Sequence, residues 1–271
     1  MSSSLKSLSP SRAGDFMTCP LLYRFRVVDR LPEPPSKAAT RGTVVHAVLE
    51  QLFDLPRGAR SLEAATALVP SVWQEVLAED EQLAEAFADD DGALATEWLD
   101  GTEALLATYF ELEDPTRLEP AERELALSVE LESGLVLRGY VDRLDVAADG
   151  AMRVVDYKTG RTPGAAFQQK AMFQMRFYAL ALWRLRGEVP RLLQLIYLGD
   201  GQIVRYQPDE DDLVAMERKL VALAAAIGQA VETGDWKPNP SRLCDWCAHR
   251  ALCPAWGGTP PPLPVPAPVQ P

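Results

Sequence analysis

Two acids and a lysine carry the clearest chemistry in this chain. Asp142 lies in Gly139-Tyr140-Val141-Asp142-Arg143-Leu144-Asp145, and Asp156 and Lys158 lie in Asp156-Tyr157-Lys158-Thr159-Gly160. Between them Asp149-Gly150 is a turn signal, so the stretch reads as a β-hairpin. Side chains alternate along a strand, so Asp156 and Lys158 share a face and Tyr157 points the other way. If the turn is the odd loop Ala148-Asp149-Gly150, Asp142 falls directly opposite Asp156, with Cβ atoms roughly 5 Å apart. An even loop puts the two acids on opposite faces. Paired carboxylates hold a hard cation such as Mg²⁺ or Mn²⁺. The ion lowers the pKa of a water and neutralises a phosphate, and a lysine beside it stabilises the charge that develops. This is equipment for cleaving a phosphodiester. The plainer alternative is a surface hairpin with ordinary charges. Val154-Val155 argues for a buried strand, in which a charged pair needs a partner.

The elements that must position these groups are helices on either side. Val44, Val45, Val48, Leu49 and Leu52 form an apolar helical stripe. His46 and Glu50, four residues apart, lie at its edge. An imidazole there is a candidate third ligand with Glu50 as its support, or a satisfied structural histidine. A second helix, about 165–185, carries Lys170, Gln174 and Tyr178 at successive four-residue steps. That polar stripe faces either a site or solvent.

The cysteines form a separate signal. Cys244, Cys247 and Cys253 cluster near the C-terminus, and Cys19 lies far off in sequence. No signal peptide or bilayer-length apolar run is visible, so a cytoplasmic, non-membrane setting is expected. That setting favours metal ligation over disulfides. Four thiolates suit Zn²⁺ or an iron–sulfur cluster. Zinc ribbons usually bring two C-x-x-C knuckles, and this chain has one, which favours [4Fe–4S] with Zn²⁺ as the alternative. His249 lies inside the cluster and could replace a ligand.

The chain has 271 residues, 47% of them apolar, and a net charge of −12. Its length and composition suit a globular α/β protein. The charge argues against a protein that merely coats DNA. It is unevenly spread, however. Residues 61–135 carry 20 acidic and 2 basic side chains, which leaves the motif-bearing remainder net basic. Arg12, Arg24, Arg26, Arg41, Arg138, Arg143, Arg161, Lys170 and Arg176 are candidate phosphate contacts or solvated surface. Residues 61–118 read as an acidic, helix-rich insertion with apolar stripes at Trp73, Val76, Leu77 and at Trp98, Leu105, Leu106, Tyr109. Strands are expected near 122–132, 135–146, 151–157, 192–198 and 202–206, and a helix over about 211–232. Residues 259–271 read as a disordered, proline-rich tail. A G-x4-G-K-[ST] loop is missing, so ATP hydrolysis by that route is not expected.

Taken in order, these motifs resemble a RecB-family nuclease of the PD-(D/E)XK superfamily, in the branch with a four-cysteine iron–sulfur cluster. They are Leu8-Ser9-Pro10-Ser11-Arg12 with Cys19-Pro20, Gly42-x3-His46-x3-Glu50, Gly139-x2-Asp142-Arg143, Asp156-x-Lys158, Gln174-x3-Tyr178 and the cysteine trio. CRISPR-associated and AddB-type nuclease domains are similar. The resemblance implies a restriction-endonuclease-like mixed sheet flanked by helices over residues 1–258, with the insertion at 61–118 and a staple at 19 and 244–253. It implies that His46, Asp142, Asp156 and the Tyr157 carbonyl bind Mg²⁺ or Mn²⁺, that Lys158 is catalytic, and that Gln174 and Tyr178 flank the site. It implies that Cys19, Cys244, Cys247 and Cys253 bind [4Fe–4S]. Glu122 would match a further family acid. The function implied is a DNA exonuclease acting on single strands or ends in repair or recombination, with a helicase or a CRISPR adaptation complex as partner. The alternatives are a prespacer-trimming CRISPR nuclease and a non-catalytic DNA-binding module.

Overall fold

The computed structural model describes residues 5–87 and 93–264. Its elements are β1 (Ser7–Leu8), α1 (Pro10–Thr18), α2 (Pro20–Tyr23), α3 (Lys37–Leu52), α4 (Leu62–Glu79), α5 (Glu81–Ala86), α6 (Ala93–Leu112), β2 (Glu122–Glu130), β3 (Val136–Val146), β4 (Met152–Lys158), α7 (Ala165–Arg186), β5 (Leu192–Tyr197), β6 (Gln202–Tyr206) and α8 (Glu210–Thr233). The chain divides into two compact units. One comprises residues 1–34, 128–138 and 214–271, and the other 35–127 and 139–213. Strands β2 and β3 and helix α8 run from one into the other.

The second unit is a mixed α/β structure. Strand β3 pairs antiparallel with β4, β4 parallel with β5, and β5 antiparallel with β6, while β2 pairs with β3. A parallel pair cannot be joined by a tight turn, and α7 supplies the crossover from β4 to β5. Glycine at position 187, with φ +77°, ends α7 in the left-handed region. The β3–β4 loop has the odd count on which the acid pairing depends. Ala147 N–H donates to Ala151 O at 3.0 Å, and Gly150 sits at φ +86°. The register pairs Arg143 with Val155 and Val146 with Met152.

Helix α3 starts at Ser36, whose hydroxyl accepts from Ala39 N–H. Its apolar stripe is fully used, since Val44, Val45, Val48, Leu49 and Leu52 are all buried. They pack with Val69 and Trp73 of α4, Leu106 and Tyr109 of α6, Val155, Tyr157 and Ile196 of the sheet, and Leu198 just after β5. Trp73, Phe87 and Trp98 meet ring to ring, with centroids 4.6–5.2 Å apart. The acidic insertion thus contributes its apolar stripes to the core behind β4, while Glu63, Glu75, Glu79, Glu81 and Glu85 are exposed.

In the first unit, Ser7 and Leu8 pair in parallel with Val136 and Leu137. Tyr23 stacks on Trp236 at 6.0 Å, and Phe25 meets the His249 ring at 5.3 Å. Thr259–Pro264 forms no helix or strand, and the Pro261 carbonyl accepts from Arg24. Residues 265–271 of the expected tail lie outside the described residues.

Candidate active site

The β3–β4 ladder stops at the Arg143–Val155 pair. Beyond it, the Tyr157 N–H and C=O, which an antiparallel neighbour would otherwise take, find other partners. The N–H donates to Asp142 Oδ2 at 2.7 Å, and the carbonyl lies 2.9 Å from His46 Nε2. The carbonyl can only accept, so Nε2 carries the proton and Nδ1 presents its lone pair. That lone pair is 3.5 Å from Asp142 Oδ2 and 3.9 Å from Glu124 Oε1. Fixing a histidine tautomer through its second nitrogen is what metal-ligating histidines require. His46 therefore takes its support from Tyr157 rather than from Glu50.

His46, Glu124 and Asp142 are the one trio of possible ligands among the described residues whose donor atoms all lie within 4.8 Å of one another. Glu124 is the acid that sequence reasoning missed. Glu122, the acid singled out by the resemblance, lies instead 3.9 Å from Arg186. Glu124 holds φ +42°, a strained value for a residue with a side chain, and such strain clusters at functional sites.

Asp156 is 1% exposed and lies 2.7 Å from Lys158 Nζ. That ion pair engages Oδ2, while Oδ1 has no hydrogen-bond partner among the described residues. A buried carboxylate with one oxygen left over suits a second cation. Lys158 also donates to Gln174 Oε1 at 3.0 Å, and Gln174 Nε2 to the Tyr178 hydroxyl at 2.9 Å. The helical stripe of Gln174 and Tyr178 thus faces the site. Gly199 holds the loop after Lys158 close, because a Cβ there would meet the Gly160 carbonyl at 2.7 Å.

Burial, together with the neighbouring Asp156 charge, pushes the Asp142 carboxyl well above its ordinary range. Burial also raises Glu124, with Glu50 and Asp156 adding to it. Burial lowers His46 and keeps it neutral. At Lys158 burial works against the ammonium, but Asp156 and Asp142 together hold the proton on and the pKa rises. This is the pattern of a site that lacks positive charge. Without metal, the folded state binds protons at Asp142 and Glu124 more tightly than the unfolded chain does. Their contribution to stability is therefore fullest at low pH and is lost as pH rises through the raised pKa values. A divalent ion competes with those same protons. The Mn²⁺-induced rise in Tm should accordingly be larger near pH 8 than near pH 5.5, and equal shifts at both would contradict a carboxylate-rich metal site.

Two of the expected phosphate contacts are structural instead. Arg143 is 1% exposed and binds Glu113 at 2.8 and 3.0 Å and the Tyr157 hydroxyl at 2.6 Å. Arg24 is buried against Asp29 at 2.9 Å.

In the first unit all four cysteines line one cavity, together with Leu21, Phe25 and Leu243. Asn239 N–H donates to Cys19 Sγ and Ser241 N–H to Cys244 Sγ, each at 3.3 Å. His249 is turned away to Glu33, 2.8 Å distant. A Cβ at Gly258 would collide with the backbone of Ala251–Cys253, so glycine is what lets the chain close over this segment.

The site thus joins acids and a lysine of a mixed sheet, at a broken strand pair, to a histidine from α3. The profile of the PD-(D/E)XK nuclease superfamily matches residues 7–254, and the chain belongs to that superfamily. It is 25% identical over 280 residues to the Gene 69 protein of Mycobacterium phage D29, covering 92% of this chain and 96% of the phage protein. The Gene 69 protein of Mycobacterium phage L5 is 29% identical over 136 residues, 49% of this chain and 44% of its own. Among solved structures, one from Eubacterium rectale, provisionally designated an exonuclease, aligns with a TM-score of 0.57 at 15% identity, covering 90% of this chain and 88% of that one. No described helix is long and apolar enough to cross a membrane.

Proposed function

We propose that this chain is a divalent-metal-dependent DNA nuclease that degrades single strands or free ends. The observation that carries the reading is the convergence of His46, Glu124 and Asp142 beside the buried Asp156–Lys158 pair. His46 Nδ1 and the carboxylates of Glu124, Asp142 and Asp156 would hold Mg²⁺ or Mn²⁺, a donor set of one imidazole and hard oxygens. Such an ion, when bound, neutralises phosphate charge and lowers the pKa of a water. Lys158 supplies a fixed cation for the charge that builds on the phosphate. Gln174, itself held by Tyr178, keeps the ammonium aimed. The intact Asp142, Asp156 and Lys158 favour a working nuclease over a DNA-binding module, because a module has no use for a buried acid–lysine pair beside a cluster of further acids.

Cys19, Cys244, Cys247 and Cys253 would hold a [4Fe–4S] cluster. The reading rests on all four thiols lining one cavity and on the single C-x-x-C knuckle, where zinc ribbons usually bring two.

Digestion of 5′- and 3′-labelled single- and double-stranded DNA under Mn²⁺ or Mg²⁺ tests the substrate. Progressive shortening from an end is expected, faster on single strands. Cleavage of closed circular DNA at the same rate would contradict the preference for ends.

A further inference from the structure

Tyr197 is a buried residue at the site that neither the family motifs nor the sequence singled out. It ends β5 as the register partner of Lys158, two residues beyond the Leu195–Asp156 pair of the same parallel ladder. Paired residues share a face, so the Tyr197 side chain stands on the face of Asp156 and Lys158, the face where Gln174 contacts Lys158. It is 3% exposed, and its hydroxyl has no hydrogen-bond partner among the described residues. That is unusual, because buried hydroxyls are nearly always satisfied. Of the other buried tyrosines in the unit, Tyr157 is held by Arg143 and Tyr178 by Gln174, while Tyr109, whose hydroxyl is also without a partner among the described residues, lies in the core against the Tyr157 ring and not on the face of Lys158. The charged groups acting on Tyr197 are Lys158, Asp156 and Asp200. Asp200 is engaged elsewhere, since its oxygens accept from Thr162 N–H at 3.0 Å and from the Thr162 hydroxyl at 3.1 Å. Burial raises the pKa of Tyr197, so the hydroxyl stays a proton donor at neutral pH. An unused donor therefore lies beside a fixed ammonium on one face of the sheet.

We propose that Tyr197 is a substrate contact, its hydroxyl donating a hydrogen bond to a non-bridging oxygen of the phosphodiester that Lys158 also meets. A phosphate oxygen only accepts, and Lys158 and Tyr197 only need to donate, so the pair forms a two-donor cradle for one anion. The inference rests on the nuclease reading and adds a residue to it. An unsatisfied hydroxyl kept at a site trades stability for function.

The test is Tyr197→Phe in the full chain, purified without air, which removes one oxygen and keeps the ring. Tm in the absence of DNA should be unchanged or higher, because a buried hydroxyl without a partner is deleted. Mn²⁺ binding, followed by titration without DNA, should be unchanged. The single-turnover cleavage rate under saturating Mn²⁺ should fall about 10²-fold, the low end for one donor. A lowered Tm with an unchanged rate would make the hydroxyl structural and overturn the proposal. A rate equal to that of wild type would overturn it as well. Wild type runs in the same assay, so a wild type that cuts no DNA would remove the nuclease reading itself, a result distinct from a variant that matches an active wild type.

Discussion

Replacing Lys158 by alanine should slow DNA cleavage about 10²–10³-fold, the effect of losing one fixed donor at a developing charge. Metal binding should survive it. The ammonium lies 2.7 Å from Asp156 and occupies a carboxylate that the ion would use, so Mn²⁺ should bind as tightly or more tightly in the variant. The metal-free variant should lose stability, since Asp156 is then a buried charge without its partner. Added Mn²⁺ should restore Tm. This crossed pattern, stability rescued by metal and rate not rescued, separates a catalytic lysine from a structural one. Unchanged cleavage with intact Mn²⁺ binding would take Lys158 out of the chemistry.

Cys19→Ala should have the largest effect on stability. Cys19 shares a cavity with Cys244, Cys247 and Cys253, so a common cluster closes a loop of roughly 225 residues. On a chain-entropy basis such a cross-link is worth about 5 kcal/mol. In a chain of this size each kcal/mol moves Tm by about 2–4 °C, so a fall of about 10–20 °C is expected. Protein purified without air should be brown, with iron and sulfide in equal amounts, and the variant should lose the colour. A colourless, zinc-loaded wild type whose Tm does not change in the variant would contradict the cluster.

Much of the site was legible because the hairpin chemistry is local. Asp149-Gly150 marks the turn, its odd loop sets the register, and the register brings Asp142 toward Asp156. The i,i+4 spacing of Gln174 and Tyr178 placed both on the face that reaches Lys158. Other parts carried no residue-specific signal. The Tyr157 backbone groups that hold His46 and Asp142 are the same atoms in every residue, and only the parting of β3 from β4 gives them their task. Glu122 and Glu124 have the same parity in β2, so a period of two does not choose between them, and the backbone turn at Glu124 does. Arg143 reads like any arginine beside an acid. Burial follows from Glu113, just past the end of α6, and from Asp145 on the same strand. Tyr197 ends an apolar run and reads as core, which its ring is. Its unpaired hydroxyl becomes visible only with every neighbour in place. Strand β1, two residues long, is too short to show a period.

The most direct measurement is a time course of labelled single-stranded DNA with wild type and Asp156→Ala, both cluster-replete and purified without air, with Mn²⁺ or with EDTA. Asp156 is the buried acid that joins the proposed metal ligands to Lys158. Wild type should cut with Mn²⁺ and not with EDTA, and Asp156→Ala should lose Mn²⁺ binding and cleavage together. A wild type that leaves every strand intact under Mn²⁺ and Mg²⁺, or an Asp156→Ala variant that cuts at the wild-type rate, would contradict a nuclease built on this site.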